Sequence, residues 1–549
     1  MSTASRGLAE GPHYDFVIVG SGFGGSVAAL RLAEKGYSVL VLERGSEFAD
    51  DDFAKTDWDV RRFMWLPELF CRGILQISVL RGAMVLHGSG VGGGSLVYCG
   101  VLDQPWDEVF DQPEWNQPIA WGKALAEHYA TARRMLGVAT NPKLWPADEH
   151  MAEIAAECGL GETFRPTQVG IYFGEEGVEV PDPYFDGQGP ARRGCTHCGA
   201  CIVGCRENAK NTLPKNYLHL ARRHGAQVRG ESEVTSIRAI SGSGADGAGY
   251  EVTYRRQGLL RGSSHVARAT SVVMAAGVLG TVGLLLRCRE RGDLPNLSAR
   301  LGQRVRTNHE TLLGGGALDE VVDHSKGISI ASNFRADSVT RIEPTRFPNG
   351  SSLVMRALSG PFYDGQRSLA GRVWMLLSWP LREARTFFEV KLRPGLARRT
   401  TIVLAMQMED SRLLLRLGRS PLTLFRRRTV SVPDAEKPVG AEVSAGHKVV
   451  RSFAQKINGI PIGNVAEGLL GVPITAHILG GCPVGTAPED GVVDTRCEAF
   501  GHPGLFVMDG SIMPGNLGVN PSLTITALAE FAMSQMPAKE PAGALPRAS

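Results

Sequence analysis

Between Gly194 and Cys205 the chain reads GCTHCGACIVGC, which places four of its ten cysteines in the spacing C-x2-C-x2-C-x3-C. Thiolates packed this closely repel one another, and a shared metal centre relieves that repulsion. Each short step turns the chain back, so that Cys195, Cys198 and Cys201 can reach one iron–sulfur cube. Cys205 or a distant cysteine would close it, or the cube would lack one iron. Arg206 stands where runs of this spacing carry proline, and there is no second such run to share a cluster. Zinc, which usually takes two separated pairs, is the rival; free thiols or disulfides are the third reading.

A second constellation fits a dinucleotide. In YDFVIVGSGFGGSVAALRLAEKGYSVLVLERG, residues 14–45, Gly20, Gly22 and Gly25 form G-x-G-x-x-G. Gly20 permits a tight turn, Gly22 lets a pyrophosphate approach the backbone, and Gly25 lets helix and strand pack closely. Glu43 follows Gly20 by 23 residues, where a carboxylate accepts hydrogen bonds from a ribose diol. A bare fingerprint is weak, and it does not separate FAD from NAD. A further glycine run, HGSGVGGGSLVYCG at 87–100, offers backbone N–H groups to a phosphate or a ring, with Leu96, Val97 and Tyr98 as its anchor.

These groups need elements to hold them. Phe16 to Val19 is an apolar run suited to a buried parallel strand, the helix after it carries Ala28, Ala29 and Ala33 inward, and Ser38 to Leu42 is the second strand. Near the other end, Leu505 to Met508 reads as a buried strand ending at Asp509-Gly510. Pro521 opens a helix there, with Asn520 as its N-cap, and the helix N-terminus offers partial positive charge to an electron-rich ring.

With 549 residues, 43% hydrophobic and 21% charged, the chain suits a globular protein with two sizeable cores. A formal charge of +3 gives no argument for nucleic acid. The opening residues lack an apolar core, and no apolar run reaches the ~18–20 residues of a membrane span. The expected setting is the cytoplasm, where thiols stay reduced.

Four stretches in order, GVGGGSLVY, VVMAAGVLGTVGLLLR (272–287), AHILGGCPVGT (476–486) and DGSIMPGNLGVNPSLTITALAE, resemble the glucose–methanol–choline (GMC) flavin oxidoreductases, within them the cholesterol-oxidase-like branch. The resemblance covers nearly the whole chain. It implies an α/β fold: a discontinuous Rossmann-like FAD-binding domain (12–50, 86–105, 226–312 and 471–535) and an α+β substrate domain with an antiparallel sheet (51–85, 106–225 and 313–470), with 536–549 as a tail. It implies FAD held by Gly20, Gly22, Phe23, Gly25, Glu43, Gly92, Gly93, Ser95, Leu96, Val234, Ala276, Gly277, Asp509, Gly510 and Pro521. It assigns His477 to hydrogen-bond the substrate hydroxyl and take its proton, and Asn520 to orient substrate or reduced flavin.

The activity so implied is oxidation of a bulky apolar alcohol, a steroid being one candidate and a sugar or terpenoid another. A redox-sensing flavoprotein without turnover is the reading from another class. Electrons would go to O2, or, with an iron–sulfur cluster at Cys195, Cys198, Cys201 and Cys205, to a one-electron acceptor protein. The branch also carries a glutamate on a central strand of the substrate domain that moves a double bond. The best match for that strand is RRTTIVLAMQMED (398–410), where Arg399 or Thr400 takes the place of the acid and Glu409 and Asp410 come later. Isomerisation is therefore not expected, and sterol specificity is weakened with it. The basic, apolar stretches 374–399 and 412–428 read either as a solvated core element, the favoured reading, or as a peripheral membrane contact. GSGADGAG (242–249) reads as a hairpin tip.

Overall fold

The computed structural model describes residues 11–240, 249–256, 262–363, 365, 368–440 and 442–540. Most of the expected hairpin tip and the last nine residues of the expected tail lie outside them. The apolar run at the start is strand β1 (His13–Val19), followed by helix α1 (Phe23–Glu34) and strand β2 (Val39–Leu42). β1 pairs in parallel with β2, and β2 with β3 (Gln227–Arg229). On its other side β1 pairs with β4 (Ser263–Met274), which also takes the strand Leu505–Val507 in parallel and a hairpin, Ser232–Ile240 with Gly249–Arg256, antiparallel. Helix α2 (Gly277–Arg291) follows β4.

The second sheet is wholly antiparallel. It is built from β5 (Thr311–Ala317), β6 (Thr340–Thr345), β7 (Thr400–Gln407) and β8 (Gly459–Asn464), in the order β8-β5-β7-β6. Ser359–Gly360 joins at one edge, and Ser332–Arg335 then Arg165–Pro166 at the other. Side chains alternate across it. Leu313, Val403 and Ile342 pack beneath the helix Ser444–Lys456. Leu312, Leu404 and Glu343 stand in one cross-strand row on the opposite face. Helices α3 (Leu353–Leu358), α4 (Leu369–Arg382) and α5 (Ala384–Lys391) lie between β6 and β7 in the chain. No described helix is long and apolar enough to cross a membrane.

Helix α6 (Ser522–Ser534) packs on α1. Glu530 of α6 takes both arms of the Arg31 guanidinium at 2.8 Å and the Tyr217 hydroxyl at 2.6 Å. This buried knot ties the C-terminal helix to the first one, so residues some 500 apart in the chain share one wall.

Candidate active site

A cavity of about 540 Å³ lies between the sheets. At one end it is walled by the turn after β1 and the start of α1. Gly20 has φ +99°, and a Cβ there would lie 2.3 Å from the Ala275 carbonyl oxygen, so only glycine fits. Helix α1 starts at Phe23 with Gly22 as N-cap and no side-chain cap, which leaves its first N–H groups open to a ligand. A Cβ on Gly22 would meet no protein atom within 4 Å. Glu43 directly follows β2 and accepts from the N–H and hydroxyl of Ser21 and the N–H of Gly45, at 2.9–3.1 Å. Arg44 and Arg287 add two cations to the wall. An uncapped helix terminus, open space at Gly22 and nearby cations fit a dinucleotide pyrophosphate.

Of the expected FAD contacts, Gly20, Gly22, Phe23, Glu43, Gly93, Val234, Ala276, Gly277, Asp509, Gly510 and Pro521 line this cavity. Gly25, Gly92, Ser95 and Leu96 stand behind its wall. Gly25 packs on the Gly20 carbonyl, where a Cβ would come within 2.2 Å. Gly92 (φ +108°) donates its N–H to Ser21 Oγ at 3.0 Å, and Ser95 Oγ bonds Gly92 O and Leu213 N–H. Leu96 is buried among apolar neighbours. These four shape the loop rather than face the ligand space.

At the other end stand His477 and Asn520, with Asn520 Nδ2 3.5 Å from His477 Nε2. Asn520 does not cap α6: the helix starts at Ser522, and the Asn520 Oδ1 has no hydrogen-bond partner. Both side chains are set by one short segment ahead of β5. The Thr307 carbonyl accepts from Thr475 Oγ1, which in turn accepts from the His477 N–H. Asn308 accepts from the N–H groups of Leu517 and Gly518 and donates to Val519 O, all at 3.0 Å. Glu310, fully buried, accepts from the Ala476 N–H and, at 2.5 Å, from His477 Nδ1. Asn308 and His309 both have positive φ (55° and 40°), so the turn that aims Glu310 is a strained one. With the proton held on Nδ1, His477 Nε2 is free to accept. Burial alone would push this imidazole down; the Glu310 charge and hydrogen bond, with Glu343 after them, outweigh it, and the net direction is up.

Glu343 corrects the expectation that the substrate sheet lacks an acid. The stretch matched for it does form a central strand, β7, but the glutamate comes from β6 beside it, opposite Leu404. Glu343 is fully buried, and neither carboxylate oxygen has a hydrogen bond of good geometry. Burial pushes its carboxyl up to about 7, with Arg341 and, more weakly, His477 and Asn520 pulling the other way. Arg341 is itself engaged by Asp103 at 2.9 Å. Glu343 thus sits beside the Asn520–His477 pair, behind a wall lined by Leu312, Ile330 and Leu404, with Thr345 of β6 as a polar member.

The cysteine run does not converge on a metal geometry. Cys195, Cys198, Cys201 and Cys205 border one small space, about 20 Å³, together with Lys210. All ten cysteines are free thiols, and among the described residues no group of three His, Cys, Asp or Glu could hold a metal ion. Burial pushes the Cys201 thiol up to about 11 and Cys195 further in the same direction. The Lys210 ammonium, buried beside them, donates to the carbonyls of Cys201, Leu96 and Tyr98 at 2.6–3.1 Å. Through Lys210 the segment buttresses the glycine-rich loop, and the expected iron–sulfur ligand set is not confirmed among the described residues.

The sequence reading missed Asn308, Glu310 and Glu343. Its available signal was the run RTNHET (306–311), in which all but His309 are buried. A buried polar run is costly unless each group has a partner to serve.

Comparison with known proteins gives a consistent set. Family models described as GMC oxidoreductase match residues 190–290 and 471–529, and a model described as NAD(P)-binding Rossmann-like domain matches 18–56. A cholesterol oxidase of Acinetobacter baumannii is 40% identical over 533 residues, covering 96% of this chain and 95% of its own. One of Mycobacterium tuberculosis is 43% identical over 538 residues, covering 96% and 92%. A long-chain-alcohol oxidase of Arabidopsis thaliana is 26% identical over 540 residues, covering 94% and 66%. The solved structure of a pyridoxine 4-oxidase from Mesorbium loti superposes with a TM-score of 0.58 at 17% identity, covering 95% and 98%, and so shares the fold.

Proposed function

Because the chain belongs to the GMC oxidoreductase family, whose members are FAD-dependent oxidoreductases acting on CH–OH donors, we propose that its substrate is a sterol-like secondary alcohol, oxidised to the ketone and then shifted to the conjugated enone. The observation that carries this reading is a buried carboxyl, Glu343, set beside the His477–Asn520 pair just behind a largely apolar stretch of the cavity wall. Simple alcohol oxidation has no use for it. The 40–43% identity to two cholesterol oxidases supports the same substrate class, and their oxidase titles support O2 as acceptor.

FAD, when bound, supplies the hydride acceptor and the passage of two electrons to O2. The chain supplies the rest. Asn520 and His477 would hold the hydroxyl and orient its carbon for oxidation. His477 Nε2 takes the hydroxyl proton, and Glu310 stabilises the imidazolium that results. The ketone oxygen then stays hydrogen-bonded to the same pair. Glu343, as carboxylate, removes a proton from the carbon between the carbonyl and the double bond and returns it to the far end of that double bond. The carboxylate is regenerated, and no electrons are exchanged in this step. A carboxyl near 7 suits a base that must both take and give back a proton at neutral pH. A dehydrogenase relaying single electrons through a cluster has no metal-holding group to rest on among the described residues.

The test is a substrate panel under O2. Sterols with a double bond one carbon removed from the carbinol should yield hydrogen peroxide and a conjugated enone, read by its ultraviolet absorbance. Peroxide with only the unconjugated ketone would remove Glu343 from the mechanism, and no sterol turnover would remove the substrate class.

A further inference from the structure

The exposed face of α4 is its apolar face. Leu369, Val373, Leu377 and Leu381 recur at four-residue steps with Trp374 beside them, and so share one side of the helix. Trp374 is 67% exposed, Leu377 70% and Leu381 88%. The opposite side packs inward: Met375, Ser378 and Trp379 are buried, and Trp379 joins Val390 of α5 and Ile462 of β8. α5 continues the surface with Phe388, 51% exposed. A helix whose solvent side is Leu, Val and Trp without a charge is built to be covered.

We propose that α4 and α5 dock the protein on the surface of an anionic phospholipid bilayer. Charge selects this occupant. Arg382 and Arg385 are exposed beside the apolar face, and among the described residues neither of them is in an ion pair, with Glu383 the one exposed acid between them. Unpaired arginines beside apolar side chains and a tryptophan match lipid headgroups over acyl chains. A second copy is the poorer fit, because a two-fold contact sets the same arginines against one another. At 14 residues, roughly 21 Å long, α4 is too short to cross a hydrocarbon core of ~30 Å and would lie in its surface.

The position in the fold gives the docking a use. The carbonyls of Val390 and Arg393, at and just past the end of α5, accept from Arg356 of α3, and Val354 of α3 lines the cavity. The docked helices are thus one element away from the cavity wall. The inference stands apart from the proposed substrate, because its test reads attachment and not turnover.

The experiment is co-sedimentation of the full-length, FAD-loaded protein with phosphatidylcholine vesicles, with and without phosphatidylglycerol. Wild type should bind the mixed vesicles. Leu377→Ser/Leu381→Ser should weaken binding at least ~tenfold. Arg382→Gln/Arg385→Gln should weaken it about tenfold or more on the mixed vesicles and little on neutral ones. Since these side chains are exposed, FAD content should match wild type. As an independent reading that leaves the surface intact, brominated lipid should quench wild-type tryptophan fluorescence more than that of Trp374→Phe. No vesicle binding, binding unchanged in both double variants, or equal quenching would overturn the proposal. So would a dimer that Leu377→Ser/Leu381→Ser dissolves, which would place a second copy on the face.

Discussion

Two carboxyl groups flank the His477–Asn520 pair, and the proposed mechanism divides the proton chemistry between them. Glu310 is hydrogen-bonded to His477 Nδ1 and raises its basicity; Glu343 has no such bond and stays near neutrality. The imidazole accepts a proton only when neutral, so flavin reduction should rise with pH through a His477 pKa above the usual ~6.5. Glu310→Gln removes the charge that raises it. The rising limb should move to lower pH and the plateau should fall about tenfold or more, less than the ~10²–10⁴-fold expected of His477→Ala. Anaerobic rapid mixing across pH reads both, and an unmoved limb would free His477 from Glu310. Glu343→Gln should oxidise sterol within a few-fold of wild type yet release the unconjugated ketone. It should also stabilise the fold. The Glu343 carboxyl titrates near 7 when folded against about 4.5 when free, so the unfolded chain ionises first, and stability is lost as pH rises between these values. At pH 8 the glutamine variant should gain on the order of 2 kcal/mol, read by denaturant unfolding. A loss of stability there would mean that Glu343 has a partner the geometry does not show.

Elements carry these groups with unequal legibility. β1, α1 and β2 could be read from sequence because a buried parallel strand is a plain apolar run and its turn demands glycine. The same turn gives a clean test. A Cβ at Gly22 meets no protein atom within 4 Å, so Gly22→Val should fold with wild-type circular dichroism but purify without FAD. A yellow Gly22→Val protein would move the pyrophosphate elsewhere. β6 was not legible. Its sequence, TRIEPT, is buried on both faces and contains Pro344, which argues against an internal strand. The fold accepts it because the ladder with Ser332–Arg335 pairs only Arg341 and Ile342, and Pro344 lies past that pairing. The turn Thr307–Glu310 was hidden for another reason: its partners are some 170–210 residues away, and no local pattern encodes them. Asn308→Ala should lose the hold on 517–519 and leave buried backbone groups unpaired, costing roughly 2–4 kcal/mol. It should lower the rate of flavin reduction more than it changes substrate affinity, since what moves is Asn520. Equal rates in wild type and variant would show that α6 alone places Asn520.

At the scale of the whole molecule, one cavity joins a largely parallel sheet that fits a dinucleotide to an antiparallel sheet that presents mainly apolar side chains, with one acid, Glu343, just behind them. The cysteine run, the most eye-catching motif in the sequence, lies outside that cavity except for Ile202, and Lys210 just after it braces the glycine-rich loop 87–100. Spacing alone pointed to a cluster; the fold places Cys195, Cys201 and Cys205 in a small buried cluster, with Lys210 turned to nearby carbonyls, and does not confirm a metal site among the described residues. The measurement that bears most directly on the proposed function is anaerobic mixing of the FAD-loaded protein with a sterol, followed by flavin absorbance and then by product analysis. The expected result is full bleaching, saturable in sterol and far faster than with a short-chain alcohol, with conjugated enone as the product. A flavin that stays oxidised with sterol while a small polar alcohol bleaches it would contradict the reading of both the apolar wall and Glu343.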